Sequence, residues 1–352
     1  MSHKDRLQEL DALRGIAALS VLLFHFTLQE NAKKFGWQFS YGVTGVDIFF
    51  MISGFVIFLT IHKVKKWQEF AIFRFARLYP TYWACMFLTI IFISVYDPES
   101  INPVQILVNL TMFPILFNVE DLEGSYWTLA IELTFYLWIL LIYLTKSIQH
   151  TVLIGFYCII GIILFHWFAP YYPGIYRYAV MKVQLLNHFP LFFSGILFYN
   201  LKFGSFSLKT LALIFFSMAA SFYLHDKGGR TMYITTALEH DIIIVFYHIV
   251  FALFVYGKLT FLIRAPLLFL GKVSYSLYLL HQFIGLHVLA TLNEKWGLNI
   301  YFSMLAAISV CVSLAYLVTA YIEAPAISHI RKWYKSRESR NFETNDKKVI
   351  FP

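Results

Sequence analysis

LDALRGIAALSVLLFHF, residues 10–26, is the stretch on which the fold turns. It is an apolar run of the kind that crosses a bilayer. Yet Asp11 and Arg14 stand at one end and His25 lies deep inside. On a helix rising about 1.5 Å per residue, Arg14 and His25 are about 16 Å and almost three whole turns apart, so their side chains share one face. A charged group at the bilayer centre costs about 2.5–3.5 kcal/mol, which makes any such residue a candidate for function.

The composition around this run points the same way. Of 352 residues, 59% are hydrophobic, 19% aromatic and only 14% charged, against about 25% charged in a soluble domain. A soluble domain cannot hide that much apolar surface, so the chain reads as an all-α, polytopic integral membrane protein. Cys85, Cys158 and Cys311 sit inside apolar segments with no CxxC spacing. They read as small buried hydrophobes, and neither a disulfide nor a metal is implied. No small-residue cleavage site follows the first apolar run, so that run is expected to stay in the protein. No linker or repeat divides the chain. One domain is expected over 1–330, followed by a basic tail, 331–352, expected to be cytoplasmic and disordered.

About ten spans can be drawn, at about 20 apolar residues each: 13–28, 43–61, 80–96, 126–145, 151–169, 185–201, 208–224, 241–257, 267–289 and 300–322. Pro80 reads as a helix-start residue for the third. The segment 101–118 is interrupted by Asn102, Pro103, Asn109, Pro114 and Asn118, and is expected as a re-entrant or interfacial piece on the outer side. An even count puts both termini on one face. With that face cytoplasmic, 21 of the 28 lysines and arginines lie inside, among them Lys4, Arg6, Arg14, Arg74, Arg77, Lys272 and the basic residues of the tail. This positive-inside bias sets the orientation and explains the net charge of +8 without a nucleic-acid partner.

Helix rise then gives depths. His25, Glu132, His281, Asp47 and Ser53 fall near the middle or in the outer half, a polar layer drawn from four helices; Arg14, Arg74, Arg77 and Lys272 form a basic layer below it. Each has a structural reading as well. Arg14 suits a positive-inside anchor, Asp11 a helix cap, His25 a core histidine bonded to a carbonyl, and Arg74 and Arg77 inner-loop charges. His62, His150, His225, His240 and His329 sit near span ends or in loops and take the structural reading. Glu132 is hardest to account for that way, because a mid-span carboxylate needs a partner or a task.

Six stretches in order resemble the acyltransferase family 3 membrane proteins, which O-acetylate bacterial surface glycans. LDALRGIAALSVLLFH (10–25) resembles that family's first-helix motif, a basic residue, ten residues, then His. GVTGVDIFFMISGFVI (42–57) is similar to its second-helix motif, and FAIFRFARLYPTYW (70–83) carries its RxxR pair. SYWTLAIELTFYL (125–137) resembles the aromatic-led segment with a mid-helix Glu, though Leu133 stands where many members have a second acidic residue. FLGKVSYSLYLLH (269–281) resembles the SYxxYLxH block, and IEAPA (322–326) the closing E-x-P element.

The resemblance implies acyl transfer, acetyl by default, from a cytoplasmic acyl-CoA to a hydroxyl of a glycan or glycolipid, in the bacterial inner membrane. Arginine is well shaped to hold the phosphates of such a donor, which suits Arg14, Arg74 and Arg77. The thioester arm has about the reach of the Arg14–His25 interval. His25 is then the general base on the acceptor hydroxyl, since neutral imidazole is available at working pH; a transient acyl-histidine is the competing role. Glu132 orients that imidazole or meets the acceptor. Asp11, Asp47, Ser53, Ser274, Tyr275, His281 and Glu323 are supporting residues. The implied partners are acyl-CoA, the acceptor and membrane lipid. A transporter or flippase with a midplane site stays open as the alternative. The acceptor's identity and the oligomeric state are not fixed by the sequence.

Overall fold

In lipid no water satisfies a free N–H or C=O, so an apolar chain closes its own backbone bonds as helix. A computed structural model describes residues 7–228 and 230–349, and among these there is no strand. The described chain forms α1 (Gln8–Phe26), α2 (Glu30–Phe35), α3 (Gly45–Ile61), α4 (Trp67–Tyr96), α5 (Pro103–Asn109), α6 (Trp127–Leu144), α7 (Thr151–Trp167) and α8 (Pro173–Lys182). After these come α9 (Leu185–Phe203), α10 (Leu208–Leu224), α11 (Ala237–Val255), α12 (Ala265–Leu280), α13 (Phe283–Ala290), α14 (Ile300–Val318) and α15 (Ala324–Val349). Lys4 and Arg6 of the expected inner charges lie outside the described residues, as do the side chains of Arg340, Lys347 and Lys348.

The protein is polytopic: among the described residues seven helices are long and apolar enough to cross a membrane, or eight if the bent pair α12–α13 is one span. Phe87, Leu141, Ile242 and Leu305 stand exposed on the rim, where only lipid tails would welcome them. Of the ten expected spans, α1 and α9 are not in that set. Glu9, Asp11 and Arg14 interrupt α1, and Asn187, His188, Asn200 and Lys202 lower the apolarity of α9. These are inner helices; from Asn187 to Phe198 every residue of α9 is buried. The segment 101–118 forms the short helix α5, capped by Asn102, and a single 3-10 turn, Pro114–Phe117.

Three local expectations change. The segment 267–289 is not one straight helix: α12 and α13 meet at 78°, with His281 and Gln282 at the break. The break is held from outside, where the Phe283 N–H that begins α13 donates to Glu123 Oε1 at 2.8 Å. The third span begins at Trp67, and Pro80 lies inside it; proline has no N–H, so the Ala76 carbonyl four residues back loses its intrahelical donor, a loss that membrane helices tolerate. The tail expected to be disordered is helix as far as Val349. No Gly or Pro interrupts 327–349, and α15 is pinned to α4's end of the bundle by Lys66–Glu338 at 2.9 Å and by Arg331 over the Phe73 ring at 4.9 Å.

Two glycine pairs bring helices into backbone contact, the usual means where lipid gives no hydrophobic drive between helices. A Cβ on Gly54 would stand 2.0 Å from the Phe192 carbonyl, and one on Gly195 2.1 Å from that of Met51, which locks α3 to α9. A Cβ on Gly271 would stand 2.0 Å from the Asp11 carbonyl, and one on Gly15 2.7 Å from Gly271 N, which locks α1 to α12. The second contact aligns the two helices that carry the candidate histidines.

Candidate functional site

Six helices, α1, α3, α4, α6, α12 and α15, enclose a cavity of about 590 Å³. Arg14, Arg74, Arg77, Lys272 and Arg331 line it, and they make one end of the bundle strongly basic. Arg74 and Arg77 are three residues apart on α4 and so project from one face. Arg74 Nη2 donates to Thr60 Oγ1 at 3.0 Å, and its guanidinium lies 5.6 Å from the centres of the Phe70 and Tyr136 rings. Arg77 pairs with Glu323, whose other oxygen accepts from Ser276 and Thr319 at 3.4 Å each. Glu323 reaches Arg77 because a π-turn, Thr319–Glu323, joins α14 to α15; such turns often mark functional positions. Arg14 stands 3.8 Å from Asp11.

Deeper in the cavity, Glu132 accepts from Ser53 Oγ at 2.7 Å and from the Tyr136 hydroxyl. Tyr136 is four residues on along α6, so helix geometry alone brings the two together. At the end away from Arg331 the lining is Thr128 and Tyr278, with Thr128 Oγ1 donating to Tyr278 Oη at 3.1 Å. Directly behind Tyr278 stand the two histidines, with ring centres 5.1 Å apart for His25 and His281. His281 Nδ1 is 2.7 Å from the Tyr278 carbonyl. A carbonyl only accepts, so Nδ1 carries the proton and Nε2 keeps a lone pair.

The expected polar layer is therefore divided. Ser53 and Glu132 are bonded to each other inside the arginine-lined cavity. His25 and His281 form a pair at its far end. Asp11, Ser274, Tyr275 and Glu323 also line or border the cavity, with Ser274 Oγ bonded to the Gly271 carbonyl at 2.9 Å. Asp47 joins neither group; its Oδ2 is 3.8 Å from His240 Nε2, and the His240 ring lies 4.2 Å from that of His225. Both of those histidines lie at span ends, His225 just after α10 and His240 in the first turn of α11, and both are buried. Sequence reasoning missed Tyr136, which the i, i+4 spacing from Glu132 could have revealed, and Arg331, which gave no signal among the tail charges. Among the described residues no three His, Cys, Asp or Glu side chains gather as metal ligands.

An anion with a long thin arm fits this arrangement: guanidinium groups at a mouth, a half-buried carboxylate held by hydroxyls, and a histidine pair beyond. The comparisons with known proteins agree in kind. A family model described as an acyltransferase domain matches residues 7–319. A Bacillus subtilis (strain 168) protein provisionally named peptidoglycan O-acetyltransferase YrhL is 28% identical over 156 residues, which is 38% of this chain and 23% of that protein. Peptidoglycan O-acetyltransferase OatA of Listeria monocytogenes serovar 1/2a is 28% identical over 151 residues, 36% of this chain and 22% of that protein. The chain thus spans under a quarter of the length of these relatives. No solved structure matches it.

Proposed function

The chain belongs to the family described as an acyltransferase domain, and on that premise we propose that it is an O-acyltransferase that moves an acyl group, acetyl by default, from cytoplasmic acyl-CoA to a hydroxyl of a cell-surface or lipid-linked glycan. The observation that carries this reading is one cavity with arginines at one end and, at the other, Tyr278, behind which the His25–His281 pair stands. We take the basic end as cytoplasmic by the positive-inside bias, with ten membrane-embedded helices, both termini inside, and the bacterial inner membrane as the location. Residues 1–330 then act as one transmembrane domain.

In this reading Arg14, Arg74, Arg77 and Arg331 hold the phosphates of the donor at the mouth, and the thioester arm extends along the cavity. The acceptor hydroxyl approaches His25 from the opposite side. His25 takes the hydroxyl proton as the oxygen attacks the thioester carbonyl. The C–S bond breaks, the C–O ester bond forms, and the imidazolium returns its proton to the departing CoA thiolate. Glu132, fixed by Ser53 and Tyr136, sets the field along the arm. Asp11 steadies Arg14, and Glu323 steadies Arg77.

The test uses purified protein and labelled acetyl-CoA with a surface-glycan acceptor. Wild type releases CoA and adds an acetyl mass to the glycan. His25→Ala abolishes both while protein level and melting temperature hold. Substantial transfer by His25→Ala sinks the base assignment, and movement of a solute without acyl-CoA consumption favours a transporter.

A further inference from the structure

The arginines of the large cavity fall into two kinds. Arg14 stands 3.8 Å from Asp11, and Arg77 pairs with Glu323. Arg74 and Arg331 line the same cavity, and among the described residues neither is paired with a carboxylate. The Nε of each is buried and has no hydrogen-bond partner. The charges that act on Arg331 are those of Arg74 and Arg77, cations like itself. Guanidinium groups gathered in this way repel one another in a poorly screened space, and an anion that accepts from both relieves them.

The setting of the two groups is that of a receptor. Arg74 lies 5.6 Å from the Phe70 and Tyr136 ring centres, and Arg331 lies 4.9 Å from that of Phe73. A ring covers the face of a guanidinium and leaves its N–H edge for an acceptor. The two are also the outermost arginines. Helices α4 and α15 run antiparallel, joined in turn by Arg77–Glu323, Phe73–Arg331 and Lys66–Glu338. Along α15, Arg331 is about 12 Å beyond Glu323, and along α4, Arg74 is about 4.5 Å beyond Arg77 toward the same end. Arg14 and Arg77 lie deeper, each within electrostatic reach of Glu132.

The order of charges in an acyl-CoA matches this order. From the thioester, the pantetheine arm leads first to the pyrophosphate and only then to the ribose with its 3′-phosphate. With the arm along the cavity, the pyrophosphate meets the inner arginines and the 3′-phosphate meets the outer pair. A phosphate monoester carries about −1.5 to −2 charge at pH 7 and three strong acceptor oxygens, enough to take N–H groups from two guanidiniums at once.

We propose that Arg74 and Arg331 form a subsite for the 3′-phosphate of the donor. Through it α15 selects coenzyme A thioesters over thioesters of protein-borne phosphopantetheine, which has one phosphodiester and no 3′-phosphate. This rests on the acyl-CoA reading above. The match to the family's model ends at residue 319, before Arg331.

The test is calorimetric binding to the full chain in phosphatidylcholine nanodiscs, with CoA and 3′-dephospho-CoA as probes. Wild type binds CoA about tenfold or more the tighter. Arg331→Gln weakens CoA binding about tenfold, the size of a lost charge-assisted hydrogen bond. It leaves dephospho-CoA binding within about twofold, which also shows that the variant is folded. Arg331→Lys keeps the charge without the fork and gives an intermediate preference, whereas Arg14→Gln, deeper in the cavity, weakens both probes alike. Equal binding of the two probes by wild type, or equal weakening of both by Arg331→Gln, overturns the subsite. A CoA preference that vanishes when phosphatidylglycerol is added to the discs assigns the outer arginines to lipid headgroups and overturns it too. Failure of wild type to bind either probe overturns the reading beneath it instead.

Discussion

Arg77 and Glu323 are the clearest case of a residue whose meaning depends on its partner. Glu323 is buried and accepts from Arg77, Ser276 and Thr319. Arg77→Ala leaves that carboxylate without its cation, which costs about 3 kcal/mol and appears as a lower melting temperature in detergent. Joint replacement, Arg77→Met with Glu323→Leu, restores most of the stability but not acyl-CoA binding, which separates the structural duty of the pair from the donor duty of the arginine. Recovery of binding in the double variant would remove Arg77 from the donor site. Arg14 has only a 3.8 Å contact with Asp11 and stands freer to meet a ligand. Arg14→Ala is expected to raise the acyl-CoA KM about tenfold with the acceptor KM unmoved; steady-state kinetics with both substrates varied decides it. The Arg14–His25 interval was legible because it is local and periodic. The position of Asp47 was not, because helix rise gives depth alone. Asp47 and Ser53 are six residues apart, about 240° around the axis. Ser53 therefore faces Glu132 while Asp47 faces His240.

At the scale of the element, the glycine seams do what the hydrophobic pattern cannot. Gly271 and Gly15 set α12 against α1 in register, and the His25–His281 pairing follows two to three turns further along. Gly271→Ala drives a methyl into the Asp11 carbonyl and costs about 1–3 kcal/mol, with activity lost as the histidines separate. Gly161, on α7, meets nothing within 4 Å, so Gly161→Ala is close to neutral in melting temperature and activity. Equal behaviour of the two variants would show that the seam does not position the site. The break after α12 had no signature of its own, because LLHQFIGLHV (279–288) continues the apolar run. Its cause is Glu123, which lies 160 residues away in sequence from the N–H it accepts.

At the scale of the whole molecule, the two ends differ in charge chemistry. The arginine cavity occupies one end, and the pair Lys34–Glu294, at 2.5 Å, closes loops at the other. With the basic end cytoplasmic, a cysteine placed at exposed Lys295 in a Cys158→Ser background labels with an impermeant maleimide on intact cells. One at exposed Lys258 labels only after permeabilisation. The reverse pattern would invert the orientation.

The sequence by itself determined that this is an all-helical membrane protein, where most of its apolar segments run, and that Arg14 and His25 share a face. Those properties follow from composition and from a 3.6-residue period, both of which act within one segment. Only the tertiary structure decided which polar residues meet. Glu132 went to Ser53 and Tyr136, Arg77 to Glu323, His25 to His281, Asp47 to His240, and the tail helix brought Arg331 to the cavity. Such pairings depend on how each helix is rotated and how closely it approaches its neighbours, and backbone contact at glycines and a carboxylate at a broken helix fix those quantities across distances that no local pattern records.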